Sequence, residues 1–397
     1  MCSDAACPAS ELKERRRKLR ETLVSKECHF AWITHHPDVF YFSGTAQNAH
    51  LLVPADSDSI LYVKKYLPRA RMETDIKRIL PFISPADIAK NFEHNGKLRC
   101  GVEMDVLPIK LFKKIEASLP SATWEDISMD IRRLRSVKSL WEVEMIKNSC
   151  RLLDNVFDQI GNWLRQGMTE LELASRIEYE LRLGGHQGAI PVRSYNGAIH
   201  YGTILFGASG SVRGAFDGPV SGPGLYRAAP KGAGWKPLQI GEPVFVDLVS
   251  GIAGYIADAT RVYCLGDLPD SLAEAHWDCL QIQSAVVENL KAGIPCSKPF
   301  EIAANHAFDS GLENVFMGPD DDRAGFIAHG VGLELDELPV FAPQFQMPVP
   351  EHSVVALEPK VVFPGRGAIG IENTWHITET GAERLTLYPD HYHKCQG

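Results

Sequence analysis

The sequence lacks several features that would take the protein out of a soluble, cytoplasmic class. It has no run of eighteen consecutive apolar residues, so a membrane-spanning helix is not expected. The first residues contain no apolar core of the kind found in secretory signal peptides, so we expect the protein not to be exported. The nine cysteines are odd in number and form no Cys-x-x-Cys pair. That pattern favours reduced thiols in a cytoplasm over a disulfide framework.

A basic surface on the scale of a domain is also missing. The formal net charge is −9. The one basic run, from Lys13 to Arg20, is typical of the solvated face of a helix. A nucleic-acid partner is therefore not expected.

Length and composition indicate a globular protein of two domains. The 397 residues exceed what one ordinary hydrophobic core accommodates. Hydrophobic residues make up 45% of the chain and charged residues 23%, as in soluble globular proteins. Strand-like runs alternate with helical stretches up to about residue 130, and longer helical patterns follow. We therefore predict an α/β (α+β) fold with domains at 1–134 and 135–397.

The hydrophobic pattern also predicts individual elements. The predicted strands are 30–34, 39–42, 51–53, 60–63 and 101–103, and the predicted helices are 10–25, 108–117, 271–291 and one that begins at Lys298. Residues 131–138 form a predicted polar link. Ser139 and Thr169 are each followed three residues later by Glu, which predicts two helix N-termini.

The stretch from Phe245 to Arg261 predicts a hairpin that carries two carboxylates. The first strand is predicted to end at Asp247, with a turn around Gly251 and Gly254. The second strand carries Asp258. A hairpin of this length can fold the two carboxylates toward each other.

Three more candidate ligands stand in apolar runs farther along the chain, namely His329, Glu358 and Glu372. Taken singly, each has an ordinary explanation as a packed histidine, a turn residue or the end of a strand. Carboxylates seldom lie inside apolar runs unless something pairs with them, and a metal ion is the usual partner. Four carboxylates and one imidazole together suit two divalent ions with bridging carboxylates.

The segment 207–235 contains eight glycines and three prolines, which is too many for regular structure. Its aromatic residues, Trp235 among them, favour a segment that packs as the wall or lid of a pocket. A plain surface insertion explains the composition equally well.

The order of the candidate ligands and the residues around them resemble the pita-bread metallopeptidases. These include methionine aminopeptidase, prolidase, aminopeptidase P and the metal-free creatinase. The motifs that carry the resemblance are Val246-Asp-Leu248, Gly254–Arg261, His329–Glu334, Leu357-Glu-Pro359 and Ile371–Thr374. Phe40–Gly44 is similar to the start of a creatinase-type N-terminal domain, and the C-terminal part is closest to the prolidase branch. The resemblance implies a pita-bread catalytic domain preceded by a smaller creatinase-like domain.

The resemblance also implies roles for single residues. Asp247 would bind one divalent ion, Asp258 and Glu372 would bridge two ions, and His329 and Glu358 would complete the second shell. The ions would be Mn²⁺, Co²⁺, Fe²⁺ or Zn²⁺, with a bridging hydroxide as nucleophile. Glu358 would move the proton of the nucleophile, and His200 would face the substrate as a second catalytic group. A homodimer is implied as well.

Four departures from the family pattern fall around the predicted site. Asp336 stands where the peptidases have a second histidine, Gly370 replaces an arginine, Lys360 replaces a glycine, and the 207–235 segment is longer than usual. An anion at position 336 would oppose a developing oxyanion unless it turned away. The substrate pocket, with His200, Asp336 and Trp235 as its predicted substrate-binding residues, therefore differs from that of the family.

The sequence supports three functions in decreasing order. The first is a dinuclear-metal-dependent peptidase of short peptides, either an Xaa-Pro dipeptidase or an aminopeptidase. The second is a metal-dependent hydrolase or lyase of a non-peptide small molecule, in which Asp336 would pair with a cationic group. The third is a binding protein without activity, which would have no need of five ligands.

Overall fold

The computed structural model describes residues 6–90, 97–194, 197, 199–214, 218–319 and 323–396. It divides into two compact units, Met1–Arg135 with Arg193–Asn196 and Ser136–Val192 with Gly197–Gly397. Both units contain helices and strands, which confirms the predicted fold class. No helix in the described part of the chain is long and apolar enough to cross a membrane.

The first unit is built on one six-stranded sheet. Its elements are α1 (Ala9–Ser25), β1 (Phe30–Ile33), α2 (His36–Ser43), β2 (Ala49–Pro54), β3 (Ile60–Val63), α3 (Leu67–Glu73), β4 (Arg78–Pro81), α4 (Pro85–Ala89), β5 (Leu98–Val102), α5 (Ile109–Ser118), β6 (Ala122–Asp126) and α6 (Ser128–Ser136). The strand order is β4-β3-β2-β1-β5-β6, with β1 antiparallel to β2 and parallel to β5. Phe30, Trp32 and Tyr62 are among the strand residues that form its core.

Residues 39–42 are helical, so the strand predicted there is wrong. They belong to α2, which has Pro37 in its first turn and Gly44 at φ +79° after its last. Both flanking residues suit a helix, because proline is tolerated at its start and glycine readily takes a left-handed conformation at its end. Val39 and Phe42 are fully buried three residues apart, on one face of the helix. A short apolar run fits either element, and here the flanking residues decide.

The polar link predicted at 131–138 is also wrong for its first part, which continues α6. Ile131 is fully buried, and the Arg135 side chain is buried in an ion pair with Asp38 at 2.7 Å. The charge in this stretch thus has an internal partner, and the composition alone does not reveal it. The helices predicted at 10–25 and 108–117 and the strands at 30–34, 51–53 and 60–63 are confirmed.

The second unit combines four helices with three sheets. Its helices and strands are α7 (Leu140–Ile160), α8 (Glu170–Leu183), β7 (Gly202–Phe206), β8 (Pro243–Ile252), β9 (Tyr255–Leu265), α9 (Asp270–Glu288), α10 (Ser297–Asp309), β10 (Ala328–Gly330), β11 (Glu337–Phe341), β12 (Val354–Leu357), β13 (Lys360–Phe363), β14 (Gly367–Gly370), β15 (Asn373–Ile377), β16 (Ala382–Arg384) and β17 (His393–Cys395). The sheets have the orders β17-β9-β8-β7, β11-β10-β12-β15-β16 and β13-β14. Ser139 and Thr169 cap α7 and α8 as predicted, each accepting a hydrogen bond from the backbone N–H three residues later.

The β8–β9 hairpin is longer than the sequence predicts. Its turn is the pair Ala253-Gly254, both at positive φ, and Gly251 lies within β8. A two-residue turn with two positive φ angles matches the twist of the flanking strands. Asp247 is therefore in the middle of a strand, and the predicted strand end at this residue is wrong. The error arose because Ala253 gives no turn signal, whereas Gly251 does.

The hairpin meets the five-stranded sheet at Glu372. The backbones of Thr260 and Glu372 exchange two hydrogen bonds of 3.3 Å. The buried Arg261 guanidinium donates to the carbonyl oxygen of Glu372 at 2.8 Å and to Oδ1 of Asn373 at 2.8 Å. This junction carries the end of β12 and the start of β15 to the face of the hairpin that bears the two aspartates.

Candidate active site

The five predicted ligands line one cavity of the second unit. They are Asp247, Asp258, His329, Glu358 and Glu372. Asp247 pairs with Thr260 across the hairpin and Asp258 pairs with Val249, so the two aspartates lie diagonally on the same face of the ladder. His329 lies in the middle of β10, Glu358 directly follows β12 and Glu372 directly precedes β15. Residues far apart in the chain thus converge because three strand segments end at one place.

The imidazole of His329 faces three carboxylates with one nitrogen. Its Nε2 atom lies 3.8 Å from Oδ2 of Asp258, 3.8 Å from Oε1 of Glu358 and 3.9 Å from Oε1 of Glu372. Its Nδ1 atom lies 3.2 Å from the carbonyl oxygen of Gly330. Burial opposes the imidazolium, but the surrounding carboxylates outweigh it and raise the pKa of His329 above its ordinary value.

The atoms around Nε2 of His329 have the chemistry of a cation site. Asp258, His329 and Glu372 each offer a ligand atom within 4.8 Å of the others. Among the described residues, none donates a hydrogen bond to the buried Oδ1 of Asp258 or to the buried Oε1 of Glu372. Buried carboxylate oxygens without a donor are costly unless a cation pairs with them. Carboxylate oxygens and an imidazole nitrogen suit a divalent transition metal, so the residues present fit such an ion here.

A lysine side chain fills the other half of the cluster. The Nζ atom of Lys360 lies 2.6 Å from Oε2 of Glu358, 2.9 Å from Oε2 of Glu372 and 3.0 Å from Oδ2 of Asp247. Lys360 is 2% exposed. Burial opposes its charge, but the carboxylates raise the pKa of the Lys360 ammonium well above its ordinary value. Lys360 was not predicted as a site residue, although its place two residues after a ligand was a usable signal.

Burial and mutual repulsion perturb the carboxylates of the cluster. Burial, reinforced by Glu372, raises the pKa of Glu358 to about 7 against the opposing effect of Lys360. Burial and the neighbouring Glu372 and Asp247 raise the pKa of Asp258 well above its ordinary value. Carboxylates this close cannot all ionise easily without added positive charge, which is the condition that favours a bound cation.

Two of the three predicted substrate contacts also line the cavity. His200 and Asp336 border it, and both residues are exposed. Trp235 is not among the lining residues of the described chain, and it is 62% exposed. Its role in substrate binding stays a prediction without support from the cavity.

The Gly/Pro-rich segment forms part of the cavity wall. Gly218, Pro219, Val220 and Lys231 all border the cavity, whereas residues 215–217 lie outside the described residues. Burial lowers the pKa of the Lys231 ammonium to about 8 against the opposing pull of Asp247 and Asp336. For these residues the wall interpretation holds over the plain surface insertion. Lys231 was missed at the sequence level, and the one signal was a lone lysine within a segment of glycines and prolines.

Comparisons with known proteins cover nearly the whole chain. The profile of metallopeptidase family M24 matches residues 144–379, and that of the creatinase/prolidase N-terminal domain matches residues 15–137. An Xaa-Pro dipeptidase of Pyrococcus horikoshii is 25% identical over 378 residues, which is 94% of this chain and 97% of the relative. An uncharacterized peptidase of Staphylococcus saprophyticus is 26% identical over 392 residues, with 94% and 98% covered.

Solved structures share the fold. The prolidase from Pyrococcus horikoshii superimposes with a TM-score of 0.80 at 23% identity, covering 95% of this chain and 99% of that one. An Xaa-Pro dipeptidase from Bacillus anthracis gives a TM-score of 0.82 at 21% identity, with 95% and 98% covered.

Proposed function

The chain belongs to metallopeptidase family M24, and from this membership we propose that it is a metal-dependent dipeptidase of Xaa-Pro substrates. The observation that carries the proposal is the convergence of Asp247, Asp258, His329, Glu358 and Glu372 on one cavity. Similarity to proteins named Xaa-Pro dipeptidases over 94% of the chain supports the same substrate class. The non-peptide alternative has no comparable support from these relatives.

A divalent ion bound beside His329 would polarise the scissile carbonyl group and acidify a water molecule for attack. Glu358 is suited to take the proton of that water and return it to the leaving amine, since its pKa of about 7 is near neutral pH. Its Oε2 atom is held by Lys360, which leaves Oε1 for the proton. His200, exposed at the edge of the cavity, can donate a hydrogen bond to the substrate carbonyl.

The cavity wall supports a substrate with a free carboxylate and an apolar ring. Lys231 contributes a cation, which suits the carboxylate terminus of a dipeptide better than the continuing chain of a longer peptide. Val220, Phe326 and Leu335 line the same cavity and offer apolar surface to a proline ring. We therefore favour a dipeptidase over the aminopeptidase that the sequence left open.

The proposal extends to the metal, the assembly and the location. Mn²⁺, Co²⁺, Fe²⁺ and Zn²⁺ all suit this ligand set. The count of two ions is a prediction from the sequence, and the position of Lys360 argues against it. The homodimer and the division into domains at 1–134 and 135–397 are further parts of the proposal. The eight free cysteines among the described residues support the cytoplasmic location.

Hydrolysis assays with protein loaded with Mn²⁺, Co²⁺ or Zn²⁺ test the function. We expect turnover of Xaa-Pro dipeptides, weaker turnover of Xaa-Ala dipeptides, and none by the Glu358→Ala control. The Lys231→Met variant should raise KM for the free dipeptide by about 10- to 100-fold, the usual effect of losing a charged hydrogen bond. It should leave KM for the matching dipeptide amide nearly unchanged.

Two results would contradict the proposal. Absence of turnover on every peptide, with any of the three metals, would remove the peptidase function and return attention to a non-peptide substrate. Equal losses for the free dipeptide and its amide in Lys231→Met would remove the role of Lys231 in carboxylate binding.

A further inference from the structure

The Lys360 ammonium has all of its hydrogen-bonding capacity used by the cluster. An ammonium group has three N–H donors, and three carboxylate oxygens from Asp247, Glu358 and Glu372 lie 2.6–3.0 Å from Nζ. The side chain is almost completely buried. Lys360 is therefore a fixed internal cation at the centre of three acidic ligands, and it is not a surface group that happens to lean inward.

The carboxylates divide their oxygens between Lys360 and His329. Glu372 uses Oε2 to accept from Lys360 and from the Thr260 hydroxyl at 2.8 Å, whereas its Oε1 faces His329. Glu358 likewise uses Oε2 for Lys360, and its Oε1 lies 3.8 Å from Nε2 of His329. The oxygens that still lack a positive partner among the described residues are thus gathered on the histidine side of the cluster.

From this division we propose that Lys360 replaces one of two metal ions, so that the protein binds a single divalent ion. The ion would be held by Asp258, His329, Glu358 and Glu372, with Asp247 bound to Lys360 instead of metal. The inference rests on the proposed function only in assuming that a divalent ion binds. An ion at the second position would need to approach the same oxygens to about 2.0–2.2 Å, where Nζ already lies.

Charge balance supports one ion over two. The four carboxylates carry four negative charges, which Lys360 and one divalent ion reduce to a net charge of about −1. A second divalent ion would bring the same cluster to about +1 and would face the ammonium across a buried, weakly screened distance. Lys360 would then have to leave its three partners, exposing them and burying an unpaired charge.

Gly370 explains how the lysine fits. Lys360 and Gly370 are direct neighbours across the β13–β14 hairpin. A Cβ atom built on Gly370 would lie 2.6 Å from Cγ of Lys360 and 2.9 Å from the carbonyl oxygen of Pro359. A larger residue at 370 would therefore push the lysine stem away from the cluster. Two departures that are separate in the sequence, Lys360 and Gly370, form one structural change.

Metal stoichiometry tests the proposal without measuring peptidase activity. We would saturate wild type, Lys360→Met, Lys360→Gly and Lys360→Arg with Mn²⁺, remove free ion, and measure bound metal per chain by elemental analysis and calorimetry. We expect one ion in wild type and Lys360→Arg and two in Lys360→Met and Lys360→Gly. The new site in Lys360→Met should bind at least about 100-fold more tightly than any second site in wild type.

Matched controls separate the effect from general loss of positive charge. Lys231→Met removes the other lysine of the cavity and should still bind one ion. Circular dichroism checks that each variant is folded, and the electron paramagnetic resonance of bound Mn²⁺ should report isolated ions in wild type and coupled pairs in Lys360→Met.

Either of two results would overturn the inference. Wild-type protein that takes up two ions of similar affinity, or none, would contradict it, and so would a folded Lys360→Met variant that still binds only one. A protein that binds one ion but cleaves no peptide would leave this inference standing while removing the proposed function.

Discussion

The Oδ1 atom of Asp336 lies 3.5 Å from Nδ1 of His329, on the opposite side of the imidazole from the acidic cluster. Asp336 has a φ of +63°, a conformation that aspartate and asparagine tolerate better than most residues. The residue that replaces the family's second histidine therefore faces the metal-binding histidine. In this position it stabilises the tautomer that carries its proton on Nδ1 and directs Nε2 to the ion.

Removing the Asp336 carboxylate should weaken metal binding. The Asp336→Gly variant tolerates the positive φ and loses the acceptor, so we expect about 10- to 100-fold lower affinity for the ion. Asp336→Asn retains the backbone conformation and an acceptor oxygen without the charge, so its affinity should lie between those of Asp336→Gly and wild type. Calorimetric titration with Mn²⁺ measures both, and an Asp336→Gly protein that binds as tightly as wild type would disprove this role.

Substitution of Gly370 should destabilise the protein through Lys360. Gly370→Ala places a methyl group against the lysine stem, and overpacking of this kind costs about 1–3 kcal/mol in free energy of unfolding. In a Lys360→Ala background the Cγ atom is gone, so part of the cost should disappear. Urea unfolding of the two single variants and the double variant measures this coupling. Strictly additive effects would show that the two residues are not linked.

Acid should destabilise the first unit through His50. Trp32 donates from Nε1 to Nδ1 of His50 at 2.9 Å, and burial lowers the pKa of His50 from 6.5 to about 4. Because the unfolded chain binds the proton more readily, His50 costs no stability above about pH 6.5 and progressively more as the pH falls toward 4. At about pH 5 we expect a loss of about 2 kcal/mol from this residue.

The His50→Asn variant tests this pH dependence, since the amide oxygen can still accept from Trp32 but does not titrate. Urea unfolding followed by tryptophan fluorescence should give a smaller decrease in stability between about pH 7 and pH 5 than in wild type. His306→Asn is the matched control because His306 is exposed. An unchanged decrease in His50→Asn would refute the assignment.

The convergence of the acidic cluster was predictable because each ligand stands in an apolar run with a distinctive neighbourhood. Asp258, for example, lies in a strand whose residues are all buried, where a carboxylate demands a partner. The destination of the Lys360 ammonium was not predictable, since a flexible side chain can extend into solvent or fold inward. Only the surrounding oxygens, supplied by distant strands, decide between the two.

The errors in the fold have a similar origin. Residues 39–42 form a run too short for its periodicity to distinguish a helix from a strand. The turn at Ala253 requires a positive φ at a residue that seldom adopts one, so its position depends on the pairing of β8 with β9 along their whole length. Arg135 gave the appearance of a polar link because its partner, Asp38, is 97 residues away.

A cation that is part of the polypeptide cannot be removed by a chelator or lost when metal is scarce. Through Lys360, three of the acidic residues keep a positive neighbour in the metal-free protein, so emptying the centre does not leave them to repel one another unopposed. The newly synthesised chain can therefore assemble this region before any ion arrives, and the supply of metal then governs activity more than it governs folding.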